Sequence, residues 1–221
     1  MFKLKMFFTK LFYGEYSFQY VDLFRKHSFR SPFTRCISEE FSAYIQIFLK
    51  KNSNFKEFET SETITFGNTP LSLNSNELIN TIGLPFCFNA FVFEEYKVKV
   101  IGYQEYIQNT KLKSVYVFAN EVFIAGEYSF TEVNKTDAHS ISKVLLKKYI
   151  SESIENNDKF FIKDKDKNRI FFNDNGFEVS VKYFLSKEAN AKEIYSNLSK
   201  AIFKLDDQKI DTIESKLADM F

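Results

Sequence analysis

RIFFNDNGFEVSVKYFL, residues 169–185, sets two apolar runs on either side of a tight turn. Two runs rich in Phe, Ile, Val and Tyr flank Asn175-Gly176, and both of those residues tolerate the positive φ that a tight hairpin demands. The chain should fold back here as an antiparallel pair, Arg169 to Asn173 against Phe177 to Leu185. Lys159 to Lys163 adds a third strand just upstream. Ile141, Val144, Leu145 and Tyr149 recur at helical spacing before it, so residues 136–186 read as a helix followed by a meander. Thr136 or Asp137 is the expected N-cap of that helix, because both residue types satisfy free amide groups.

Toward the N-terminus the same order occurs again, over residues 62–134. Asn74 stands three residues before Glu77 in a capping arrangement, Leu78, Ile79 and Ile82 give one apolar face, and Gly83 with Pro85 ends the helix. Ahead of it, Ile64 to Phe66 and Leu71 to Leu73 flank the turn-rich Gly67-Asn68-Thr69-Pro70 and predict a short hairpin. Behind it, Ala90 to Tyr106, Leu112 to Ala119 and Val122 to Phe130 predict three antiparallel strands. In Tyr96-Lys97-Val98-Lys99-Val100 the alternation sends both lysines to water.

Both ends of the chain read as helical. In residues 1–51, Tyr20, Leu23 and Phe24 form one stripe, and Phe41, Ile45, Phe48 and Leu49 form another that starts at Ser38, Glu39 and Glu40. Lys50 to Ser61 is polar enough for a linker or surface loop. In residues 188–221, Ile194, Leu198, Ile202 and Leu205, then Ile210, Ile213, Leu217 and Met220, continue a helical repeat. No Gly/Ser-rich hinge separates these parts. The expected architecture is one α+β domain, residues 1–221, with antiparallel meanders in two helix-plus-sheet units and terminal helices packed on the sheet.

The succession of helix, Gly-x-Pro exit (Gly83-Leu84-Pro85), meander, helix and meander resembles the repeated modules of the β-lactamase-inhibitor-protein and SmpA-like group, over residues 64–185. That resemblance implies a protein that binds other proteins and does not catalyse a reaction.

Composition narrows the function further. Thirty Lys and Arg nearly cancel 29 Asp and Glu, so a net charge of +1 creates no global field for nucleic acid or an anionic surface. Every Phe-rich stretch is interrupted by Lys or Glu, well short of the roughly 18 apolar residues of a membrane span. The N-terminal MFKLKMFFTKLFYGEY has the early lysines of a signal peptide, but Lys10 breaks the apolar run and no small-residue cleavage site follows. Cys36 and Cys87 lack a CxxC spacing, so neither a disulfide framework nor a zinc knuckle is expected, and a reducing, cytoplasmic setting fits best.

Catalytic patterns fail on inspection. Six glycines, at 14, 67, 83, 102, 126 and 176, leave no GxGxxG or GxxxxGK[ST]. Asp164-x-Asp166-x-Asn168 opens like a calcium loop, but Arg169 stands where Gly is required and Asn175 where a bidentate Glu is required, which leaves a charged hairpin turn. His139 lies among Thr136, Asp137 and Ser140 without a nucleophile elbow. His27 and Cys36 carry no sign of an activated pair, and Cys87 between Phe86 and Phe88 reads as a small buried hydrophobe. No catalytic residue, metal or cofactor is expected.

What remains is aromatic and locally basic. Residues 1–35 hold Lys3, Lys5, Lys10, Arg25, Lys26, Arg30 and Arg35 against Glu15 and Asp22, with Phe18, Tyr20, Phe24, Phe29 and Phe33 interleaved. Such cations beside rings suit single-stranded nucleic acid or an anionic membrane, but the balanced total charge favours a solvated rim around core aromatics. Tyr and Phe are effective interface anchors because each brings a large rigid area at low entropic cost. The leading expectation is a non-enzymatic protein that binds a protein partner through Tyr96, Tyr103, Tyr106, Tyr116 and Tyr128 on a sheet face, or through Arg25, Arg30 and Arg35 in the N-terminal segment. An enzyme with a dispersed site is the runner-up, to be favoured by a pocket that sets a histidine beside a carboxylate.

Overall fold

The hairpin at Asn175-Gly176 forms as expected: Gly176 adopts φ +84°, and the Asn175 side chain accepts from the amides of Phe177 and Glu178. The protein's computed structural model describes residues 2–28, 31–37, 40–49, 55–69, 72–107, 110–150, 158–185, 191 and 193–204. In chain order the elements are α1 (Phe2–Tyr13), α2 (Phe18–Ser28), α3 (Phe41–Leu49), β1 (Lys56–Thr60), α4 (Ser75–Ile82), β2 (Cys87–Phe93), β3 (Tyr96–Ile107), β4 (Thr110–Ala119), β5 (Val122–Thr131), α5 (Lys135–Tyr149), β6 (Lys159–Asp164), β7 (Arg169–Asp174) and β8 (Glu178–Phe184). Residues 193–204 form a further helix, α6.

The eight strands among the described residues join one sheet in the order β1-β6-β7-β8-β5-β4-β3-β2. β2 to β5 and β6 to β8 run antiparallel, β8 closes on β5, and only β1 pairs parallel, with β6. The sheet is therefore mixed and continuous. Each face has its own core. Val21 of α2, Leu78 of α4 and Ala138, Leu145, Leu146 and Tyr149 of α5 cover one face. Phe41, Tyr44, Ile45 and Phe48 of α3 and Ile194, Tyr195, Leu198 and Ile202 of α6 cover the other.

Local chemistry explains the boundaries that were foreseen. Asn74 accepts from the amides of Asn76 and Glu77 while Glu77 accepts from Asn74, a complete capping box at α4. At its other end Gly83 takes φ +106° and donates to Ile79 O. Ser17 starts α2 by accepting from Tyr20 N at 3.1 Å and donating to Gly14 O at 2.8 Å, which folds α2 back on α1.

Five expectations are corrected. Ala90 to Tyr106 is two strands, β2 and β3, reversed at Glu94-Glu95 with Glu94 at φ +52°. Ile64 and Phe66 are fully buried without being a strand, and Leu73 packs against the same core, whereas Pro70 and Leu71 of the expected hairpin lie outside the described residues. The polar Lys50 to Ser61 stretch contains β1. Asn134 caps α5, accepting from Asp137 N at 2.9 Å, in place of Thr136 or Asp137. Lys99 is 7% exposed and turns inward to Ser75 and Glu121, because both sheet faces are covered and alternation no longer sorts inside from outside. The stripe at Ile210, Ile213, Leu217 and Met220 lies outside the described residues.

Candidate functional site

One end of the sheet holds the groove that best unites the residues the sequence singled out. β2 is the edge strand, and among the described residues no strand pairs with its outer side. Segment 31–37 runs beside it instead: Phe88 N donates to Thr34 O at 3.2 Å, Cys36 N donates to the Asn89 side chain at 2.9 Å, and Arg25 from the last turn of α2 donates to Ala90 O at 2.8 Å. Between this segment, the start of α3 and β2 lies a groove of 720 Å³, lined by Arg25, Ser31, Phe33, Arg35, Ile37, Glu40, Phe41, Ser42, Asn89, Phe91 and Phe93.

Its walls are built from rings. Phe41 meets Phe91 and Phe93 edge-on at 5.4 and 5.3 Å, and Phe33 stacks on Tyr16 at 5.0 Å while standing edge-on to Phe88. Arg35 is exposed, and no described carboxylate pairs with it or with Arg25. Glu40 is the single carboxylate on the described wall. The arrangement offers apolar contact and two guanidinium groups suited to carboxylates, beside a strand edge whose Phe88 amide and Ala90 carbonyl are already held by segment 31–37 and Arg25.

Cys36 and Cys87 are bonded as a disulfide between segment 31–37 and β2, with Cα atoms 5.3 Å apart and both residues 1% exposed. This corrects the reading of two independent thiols. The bond fastens segment 31–37 to the edge strand. Gly102, opposite Cys87 in the β2–β3 register, makes room for it, since a Cβ there would run into both sulfurs.

The five tyrosines are not a common docking face. Tyr116 and Tyr96 are 7% and 6% exposed, so the expectation that they stand on the surface is corrected. Tyr103 and Tyr128 are half-buried, and only Tyr106 is well exposed. Tyr116, Tyr128 and Tyr183 surround fully buried Phe66 at centroid distances of 5.0, 4.5 and 5.2 Å. Burial raises the Tyr103 and Tyr128 hydroxyls to about 12 and pushes Tyr183 higher still. Arg30 lies outside the described residues.

The remaining candidates separate. Asp164 is buried and accepts from the amides of Ile64, Asp166 and Asn168 and from the Asn168 side chain, so it clamps the β6–β7 turn. No group of three metal-ligating side chains occurs among the described residues. His27 packs on Phe2 with ring centres 4.0 Å apart. His139 faces an open hollow of 620 Å³ with Lys135, Ser142, Asp158 and Asp174, whereas Ser140 donates to Thr136 O. No helix among the described residues is long and apolar enough to cross a membrane.

No protein-family model, curated protein sequence or solved structure matches this chain, so its functional reading rests on its own residues.

Proposed function

We propose that this is a non-enzymatic binding protein that recognises a protein partner through the groove beside β2, taking an extended segment with acidic and apolar side chains. The observation that carries it is the grouping of Arg25 and Arg35 with Phe33, Phe41, Phe91 and Phe93 in one groove beside the edge strand β2. The rings take the apolar side chains of such a segment, and the guanidinium groups take its carboxylates. The proposal accords with the protein-binding role implied by the resemblance to the β-lactamase-inhibitor-protein and SmpA-like group.

Fluorescence anisotropy of labelled acidic-aromatic peptides with the full chain tests it. Arg35→Glu, on an exposed side chain, should weaken binding by about tenfold or more, through lost pairing and added repulsion. Equal binding by both forms would show that the groove is not the binding site. Tight capture of single-stranded nucleic acid with a steep salt dependence would replace the protein partner with that polymer.

A cytoplasmic setting is carried forward as part of the proposal, with a condition attached: a reducing compartment would open the Cys36–Cys87 bond and leave two buried thiols. Counting free thiols in rapidly alkylated cell extracts distinguishes the two states. An enzymatic reading has one observation in its favour, His139 beside Asp158 and Asp174 in the 620 Å³ hollow. His139 and Asp158 are both exposed there, so no dry volume surrounds a reacting group.

A further inference from the structure

We propose that α1 is a membrane-interface helix that lays its outward face on an anionic lipid bilayer. At about 100° per residue, Phe7, Leu11, Leu4, Phe8 and Phe12 occupy one continuous arc of about 140°. All five are exposed, from 44% to 74%. The opposite side is the one the body holds: Phe2, Met6 and Thr9 are half-buried, and Phe2 lies on His27 of α2. The apolar face of this amphipathic helix is thus the outer one, the reverse of what packing alone selects.

Charge identifies the occupant. Lys3 and Lys10 border the arc on one side and Lys5 on the other, and α1 contains no acidic residue. Lys10 pairs with Glu15 at 2.5 Å in the turn after the helix, while Lys3 and Lys5 have no ion-pair partner among the described residues. Lysines flanking an apolar stripe reach lipid phosphates while the rings enter the acyl boundary. Two copies packed through this stripe would set their lysine rims against each other with no carboxylate between them. Twelve residues give about 18 Å of helix against a hydrocarbon core of about 30 Å, so the helix lies along the interface and does not cross.

The test is co-sedimentation of the full-length protein with vesicles of equal parts phosphatidylcholine and phosphatidylglycerol, and with phosphatidylcholine alone. The expected result is binding to the anionic vesicles that weakens with added salt. Lys3→Gln with Lys5→Gln should weaken it about fivefold per lysine, and Phe7→Ser, Leu11→Ser and Phe12→Ser together should abolish it. These side chains are exposed, so unchanged thermal unfolding should accompany the losses. Arg35→Glu, which disables the groove proposed above, should leave vesicle binding intact, so the two ideas fail separately. Equal binding to neutral vesicles, full binding by the triple variant, or self-association that the triple variant abolishes without any vesicle binding would each overturn the inference.

Discussion

Phe66 and Gly126 offer the sharpest check on how the sheet is packed. Gly126 lies between Tyr116 and Tyr183 in the strand register, and the fully buried Phe66 ring lies flat over it, so close that a Cβ at position 126 would come within 2.6 Å of the ring. The ring covers the glycine and the glycine admits the ring. Phe66→Ala deletes a ring held by Tyr116, Phe123, Tyr128 and Tyr183 and should cost about 4 kcal/mol in transfer and cavity energy. Gly126→Ala alone forces a methyl into the ring and should cost about 2 kcal/mol. In the double variant the methyl enters the space the ring has left, so the loss should stay near 4 kcal/mol instead of reaching about 6 kcal/mol. Urea unfolding of the four proteins at neutral pH measures this coupling of about 2 kcal/mol. Phe66→Leu supplies a milder cycle if the alanine form is too unstable to fold. Additivity within about 0.5 kcal/mol would refute the close approach.

Three further outcomes are expected. Burial pushes the Glu121 carboxyl up, but the Lys99 ammonium at 2.5 Å and Ser75 more than offset it, and the net shift is downward. A carboxyl depressed in the folded state stabilises above its unfolded pKa of about 4.5 and loses that contribution as pH falls through the folded value. Glu121→Gln should therefore cost about 1 kcal/mol at neutral pH, a value reduced because Glu121 is half-exposed, and should flatten the urea midpoint against pH in the acid range; an unchanged acid limb would contradict this. Tyr103 and Tyr128, raised to about 12, favour the folded state below pH 10 and release that preference as pH climbs toward 12, so alkaline titration should show late-ionising tyrosines that titrate normally in urea. Gly102→Ala should destabilise the oxidised protein, where the methyl would strike the Cys36–Cys87 sulfurs, more than it does Cys36→Ser with Cys87→Ser; equal losses in thermal melts would remove that contact.

Much of the fold was legible because local signals and tertiary packing agreed. Asn175-Gly176 set the β7–β8 turn, and Asn74 with Glu77 set the start of α4. The misses have physical causes. β1 is Lys-Glu-Phe-Glu-Thr, an edge strand whose charges guard an exposed border and so read as a loop. The reversal between β2 and β3 uses Glu94 at positive φ, with no Gly, Asn or Pro to announce it. Ile64 and Phe66 had the look of a strand because they are apolar, yet they fill core space without joining the ladder. At the site, Arg25, Arg35 and Phe33 were visible in the basic-aromatic segment. Their union with Phe91 and Phe93 was not, since it depends on a hydrogen bond and a disulfide spanning 65 and 51 residues.

Binding at the groove beside β2 is the proposed function. Amide chemical-shift mapping of the isotope-labelled full chain, titrated with an acidic-aromatic peptide, tests it most directly. Saturable shifts concentrated at Arg35, Asn89, Phe91 and Phe93 are expected, and they should be lost in Arg35→Glu. Shifts centred on His139, Asp158 and Asp174, with the β2 edge unmoved, would contradict it.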